Sequence, residues 1–130
     1  MKRIVIDTNI LISAILSPKG NSAQIMTLIS LNELQLIFCS KILDEYTKVL
    51  AYERLKIPVQ AQNKIIKGIN KLGILIEPPL STIHLPDESD RIFYDTARAS
   101  GAILITGNMK HFPAESFIMT PADYIKMINA

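Results

Sequence analysis

The sequence has little of what several common kinds of site are built from. It holds a single cysteine, Cys39, in 130 residues. An intrachain disulfide is thereby excluded, which fits a reducing compartment. A cysteine zinc site is excluded too, since only His84 and His111 remain to complete it. Cys39 lies in the apolar run LQLIFCS and reads as a small buried hydrophobe. No glycine-rich phosphate loop is visible, nor a Ser–His–Asp order, nor a cysteine nucleophile.

Charge of one sign is also lacking. Fourteen basic residues face 12 acidic ones, a net +2 at pH 7. That balance does not by itself indicate nucleic-acid binding, although it leaves room for a local patch. Long apolar runs are absent. The start, MKR followed by apolar residues, imitates a signal peptide, but Asp7 and Asn9 interrupt it and leave only ILISAIL. Nothing approaches the roughly 18 apolar residues of a membrane helix. The expectation is a soluble, cytoplasmic protein with no membrane segment.

What is present is a core. Hydrophobic residues make up 48% of the chain, and the length suits one domain, residues 1–130. Residues 3–6 form a short apolar strand of the kind buried on both faces of a parallel sheet. A helical pattern follows over Ile10–Leu16, a loop at SPKGNS, and a second helix over Ser22–Leu31. LQLIFC reads as strand two, and Ser40 as the N-cap of a helix reaching about Tyr52. After Pro58 a helix places Ile65, Ile69 and Leu72 on one face and stops at Gly73. ILIE is a short strand halted by Pro78 and Pro79, and 80–87 is a loop. A helix over Ser89–Ser100 is closed by Gly101. AILIT and FIM are two further strands. TPADYIKMIN ends the chain as a helix, with Thr120 as cap and Pro121 at its first position. Strands alternating with helices give an α/β class with a mainly parallel sheet.

In open α/β sheets ligands gather at the carboxyl ends of the strands. Asp7 ends strand one, and Asn108 follows another buried strand. The bland reading of Asp7 is a helix cap, a task Thr8 can equally perform. Ile42, Glu45, Tyr46 and Val49 share one helix face, while Lys41, Asp44 and Lys48 occupy a solvated one. Glu45 therefore lies in or beside the buried stripe, where an unpaired carboxylate is costly. Asp90, Phe93, Tyr94 and Ala97 share a face in the same way. Glu88, Arg91, Asp95 and Arg98 form a different stripe of alternating charge, read as a salt-bridged surface. Helix position thus assigns Asp90 to chemistry and Asp95 to the surface. The bland readings are a stripe-edge glutamate for Glu45 and an acid balancing a helix N-terminus for Asp90.

Three carboxylates at one pole repel one another and either raise their pKa values or hold a cation. Hard oxygen ligands suit Mg²⁺ or Mn²⁺. Such an ion works on phosphates through a bound water. Lys19, Lys41, Lys48, Lys110 and His111 are candidates for phosphate contact.

VIDTNIL at the start, Ser40 with Glu45 on a helix, DESDRIFYDTARASGAILITGN and then KHFP together resemble the PIN-domain family, in particular the VapC-type toxins of toxin–antitoxin systems. The resemblance covers nearly the whole chain. It implies a three-layer α/β/α fold with a parallel sheet of about five strands. It also implies an Mg²⁺- or Mn²⁺-dependent ribonuclease with an RNA substrate, a cognate antitoxin and a homodimer. Asp7, Glu45 and Asp90 match the family's acidic positions. Thr8 and Asn9 match its polar pair after the first acid, and Thr106 the polar residue near the last strand's end. Asn108 stands where many relatives carry Asp, so a metal ligand there would be neutral. Two other readings compete. One is a catalytically silent nucleic-acid-binding module with this fold, which Asn108 favours. The other is a phosphatase of the haloacid dehalogenase type, whose Asp-x-Asp motif is absent from Asp7-Thr8-Asn9.

Overall fold

A computed structural model describes residues 1–130. Five strands, β1 (Lys2–Ile6), β2 (Leu34–Phe38), β3 (Ile74–Leu75), β4 (Ile103–Ile105) and β5 (Ile118–Met119), form one sheet in the order β3-β2-β1-β4-β5. Every pairing is parallel. Six helices connect and flank them: α1 (Thr8–Leu16), α2 (Asn21–Ser30), α3 (Ser40–Leu50), α4 (Val59–Leu72), α5 (Arg91–Ser100) and α6 (Pro121–Ile128).

β1 is the central strand, and its sequence explains why. Ile4, Val5 and Ile6 are all fully buried. Successive strand side chains point to opposite faces, so an uninterrupted apolar run needs both faces covered. α5 packs on β1, β2 and β4, and α2 and α4 pack on β2. One core cluster of 27 buried residues joins the sheet to the helices. No helix is long and apolar enough to cross a membrane.

The strand order carries the functional consequence. The chain steps outward from β1 to β2 to β3, then returns to place β4 on the other side of β1. The order reverses between β1 and β4, and a crevice opens beyond the carboxyl ends of strands at such a reversal. Asp7 directly follows β1, and Thr106 directly follows β4. The Asp7 backbone N–H still donates to the Ile105 carbonyl at 3.0 Å, so these two strand ends are held in register.

Two glycines shape the connections. A Cβ on Gly73 would lie 2.7 Å from the Phe38 ring, so α4 reaches β3 only because that position has no side chain. Gly101 closes α5 in the left-handed conformation, at φ 67°.

Most expected elements occur, with shifted edges. α1 begins at Thr8 rather than Ile10, and α3 ends at Leu50 rather than Tyr52. Cys39, not Ser40, occupies the cap position of α3. Ser40 is the first helical residue, and its backbone N–H donates to Glu77 Oε1 at 2.9 Å. An acceptor from the strap that follows β3 replaces the expected hydroxyl cap.

One expectation about the surface is overturned. Asp95 is buried, at 5% exposure. Its Oδ2 accepts from the Ser81 backbone N–H at 3.1 Å, while Oδ1 is buried without a partner. Arg91 does pair with Glu88 at 2.7 Å, as an alternating stripe predicts. Its guanidinium, however, also donates to the carbonyls of Ser81 and Ile83. The extended segment between β3 and α5 folds back over Arg91 and Asp95 and covers them, while Glu88 and Arg98 stay exposed. A helix-wheel reading has no knowledge of that strap.

Candidate active site

Asp7, Thr8, Asn9, Glu45, Asp90 and Asn108 line one open pocket at the β1/β4 reversal, of about 270 Å³. Five further residues complete the wall: Val49, Tyr52, Arg54, Asp87 and His111. Of the residues singled out from the sequence, Ser40 and Asp95 lie elsewhere, as do Lys19, Lys41, Lys48 and Lys110. Thr106 stands behind the pocket and supports it.

Asp7 sits in the cap position of α1 but makes no capping bond with its side chain. Its Oδ2 instead accepts from the Thr106 hydroxyl at 2.8 Å. Burial raises the Asp7 pKa above its ordinary value. The Thr106 bond pulls it down, and the nearby Glu45 charge adds to the rise. Thr106 in turn accepts from the Asn108 backbone N–H at 3.0 Å. One hydroxyl therefore sets both the first acid and the turn that carries Asn108.

Asp90 ends a 3-10 turn, Glu88–Asp90, at the cap position of α5, and again makes no capping bond with its side chain. Burial raises its pKa, and the Asp7 charge raises it further. His111 Nδ1 lies 3.1 Å from Asp90 Oδ2 and opposes that rise. Glu45 projects from α3, where Thr8 donates its hydroxyl to Glu45 Oε2 at 2.5 Å. No hydrogen bond within the fold engages Oε1.

Three features escaped the sequence reading. Tyr46 is fully buried, and its hydroxyl donates to the Ile6 carbonyl, the last of β1. That contact locks α3 against the end of β1 and so sets the height of Glu45. A buried tyrosine hydroxyl needs a partner, and this was the available clue, since Tyr46 shares the Glu45 stripe. Asp87 also reaches the pocket wall, but its Oδ1 is occupied by the backbone N–H and hydroxyl of Ser89. Those bonds lower the Asp87 pKa. Tyr52 and Arg54 had no signal in helix periodicity because they follow α3 in a turn.

The donor set is oxygen only, apart from His111. No three acidic, His or Cys side chains stand close enough to cage one ion by themselves. The expected convergence of three carboxylates is therefore a shared pocket rather than a three-ligand cage. This fits Mg²⁺ or Mn²⁺, which take one or two carboxylates and keep several waters. Two buried aspartates with raised pKa values supply the negative charge such a cation neutralises.

Comparison with known proteins bears on the family and the fold. A family model described as PIN domain matches residues 3–110. An uncharacterized protein of Methanocaldococcus jannaschii, MJ1680, is 30% identical over 109 residues, spanning 82% of this chain and 70% of that protein. Among solved structures, PAE2754 of Pyrobaculum aerophilum superposes with a TM-score of 0.62 at 15% identity, covering 99% of this chain and 90% of that one. VapBC2 of Rickettsia felis, crystallised with a DNA fragment from their promoter, gives 0.54 at 20% identity, covering 83% and 89%. At these identities the two structures speak for the fold, and the family model speaks for the sequence. With the family model over residues 3–110 and the five-stranded parallel sheet in agreement, the chain belongs to the PIN-domain family, whose members are generally nucleases that use divalent metal ions.

Proposed function

We propose that this chain is a metal-dependent endoribonuclease that hydrolyses RNA phosphodiester bonds and acts as the toxin of a toxin–antitoxin pair. An antitoxin protein would hold it in check, and a second copy of the chain would form its dimer. The observation that carries the reading is the acidic pocket at the β1/β4 reversal, where Asp7 and Asp90 are both buried and both hold raised pKa values.

Asp7 and Asp90, with the Asn108 side-chain oxygen as a neutral donor, are the residues that would hold Mg²⁺ or Mn²⁺, and Glu45 is the further acid on the same wall. When bound, the ion would acidify a water and stabilise charge developing on the phosphate. The chain's own contributions are orientation and proton handling. Thr106 fixes one oxygen of Asp7, and His111 fixes one oxygen of Asp90. Thr8 occupies Glu45 Oε2, which leaves Oε1 to take the proton of the attacking water. Thr8 and Asn9, at the start of α1, add polar groups to the same wall.

A silent nucleic-acid-binding module is the second reading, and Asn108 favours it, because it puts a neutral amide in the pocket where an acid would add charge. RNA incubated with the protein in Mg²⁺ or Mn²⁺, and again in EDTA, separates the two. Cleavage that needs the metal and disappears in a folded Asp7→Asn variant supports the nuclease. RNA that is bound but never cut supports the silent module.

A further inference from the structure

A pocket walled by Asp7, Glu45, Asp87 and Asp90 repels a polyanion, so something must draw a phosphate chain toward it. The lysines offered by the sequence do not line this pocket. Arg54 does, and it is the only permanently charged cation that does so. It forms no ion pair and no hydrogen bond with any of the four acids beside it, so all of its N–H donors are available. Its guanidinium lies over an aromatic ring instead, with the guanidinium carbon 5.2 Å from the centroid of Tyr52. Tyr52 lines the same pocket and is 36% exposed.

The pair is held on a short, anchored turn. Leu50 and Ile57 are buried in the core on either side of it. Between them the 3-10 turn Glu53–Leu55 is closed by bonds from Leu55 N–H to the Tyr52 carbonyl at 3.1 Å and from Lys56 N–H to the Glu53 carbonyl at 3.0 Å. Lys56 leaves the turn in the left-handed region, at φ 53°. A guanidinium stacked on a ring is pre-oriented, and its planar fork suits phosphate oxygens. An exposed ring beside it offers a surface on which an unpaired base can stack.

We propose that Arg54 and Tyr52 are substrate-positioning residues. Arg54 grips a backbone phosphate next to the acidic pocket, and Tyr52 stacks the adjoining base. This rests on the reading of RNA as substrate, and it assigns these residues to binding rather than to bond cleavage.

The test is the affinity of a fluorescein-labelled single-stranded RNA, measured by anisotropy in EDTA over a range of salt concentrations. Arg54→Met should weaken binding on the order of tenfold and reduce the slope of log affinity against log salt by about 0.7, the loss of one single-strand phosphate contact. Arg54→Lys should keep the slope. Tyr52→Leu should weaken binding on the order of tenfold with the slope unchanged, and Tyr52→Phe should restore it. In Mn²⁺, the same losses should appear in KM and not in kcat. Arg54→Met that leaves RNA affinity unchanged but tightens Mn²⁺ binding would show that Arg54 only balances the acids, and would overturn the proposal. So would an unaltered chain with no measurable affinity for the RNA. A chain that binds through these residues but never cuts RNA keeps this inference and loses the nuclease. One that cuts RNA with unchanged KM in Arg54→Met and Tyr52→Leu does the reverse.

Discussion

Thr106 donates to Asp7 across 99 positions of sequence, at 2.8 Å, with both side chains buried. The contact joins the ends of two neighbouring parallel strands and is the foremost of the hydrogen bonds that hold down the pKa of this buried carboxylate, the Thr8 backbone supplying another. Valine has nearly the shape of threonine without the hydroxyl. Thr106→Val should therefore fold, and should cost about 1–3 kcal/mol, the penalty of leaving a buried polar group without its partner. It should also push the Asp7 pKa further up, because the Thr106 bond is the first influence holding it down. Urea unfolding gives the first quantity, and a carboxylate NMR titration the second. Thr106→Ser should return both toward the parent. Unchanged stability and an unchanged Asp7 titration in Thr106→Val would show that the contact does not govern the acid.

The two raised aspartates set a pH dependence. In the folded chain Asp7 and Asp90 bind protons more tightly than when unfolded, chiefly through burial. Their contribution is complete below the ordinary aspartate value of 3.8 and is lost as pH rises through the raised folded values. Glu77, Asp87 and Glu88 work in the opposite sense, since hydrogen bonds lower their pKa values and their contribution is lost only in acid. The melting temperature in EDTA should therefore rise as pH falls from neutral toward the ordinary aspartate range, and drop in stronger acid, below about 4. The double variant Asp7→Asn, Asp90→Asn should remove the upper rise and keep the acid drop. A parent chain with no rise anywhere between neutral pH and the ordinary aspartate range would contradict the raised direction.

The sequence reading and the structure part company where tertiary contacts intervene. β1 was legible because Ile4, Val5 and Ile6 can only be a doubly covered strand, and Asp7 because it interrupts that run. Glu45 was legible because Ile42 and Tyr46, its neighbours on the helix face, are both fully buried, while Lys41, Asp44 and Lys48 are exposed. Asp90 followed by the same reasoning. Asp95 did not, because an extended strap with no periodicity of its own covers its face of α5. Tyr52 and Arg54 were invisible for a related reason. A turn has no repeat to read, and its place beside the acids depends on how α3 docks on β1.

Asp95 itself gives a prediction. It accepts from the Ser81 backbone and does not line the acidic pocket. Asp95→Ala should free the strap and destabilise the chain by about 1–2 kcal/mol. Asp95→Asn keeps an acceptor and should cost less. Neither should alter Mn²⁺ affinity measured by calorimetry. Loss of Mn²⁺ binding in the folded Asp95→Asn variant would put this acid in the metal site and remove the helix-face argument for Asp90.

Asn108 offers the sharpest test of crowding. It lines the pocket with Asp7 and Asp90, and its backbone is tied through Thr106 to Asp7. A charge introduced there meets two buried carboxylates whose pKa values are already raised. Asn108→Asp should lower metal-free stability by about 1 kcal/mol and so lower the melting temperature in EDTA. A cation relieves the same repulsion, so the variant should bind Mn²⁺ more tightly and gain more thermal stability from saturating Mn²⁺ than the parent does. Both shifts have one cause and should appear together. An asparagine remote from the acids predicts neither, since exposed substitutions usually change stability by less than about 0.5 kcal/mol. Melting curves of both proteins in EDTA and in Mn²⁺ decide between them. A lower melting temperature in EDTA with no added gain in Mn²⁺ would mean that the new charge crowds the acids without joining the ion. The donors would then be Asp7 and Asp90 alone, and the neutral amide of Asn108 would have no share in holding the metal.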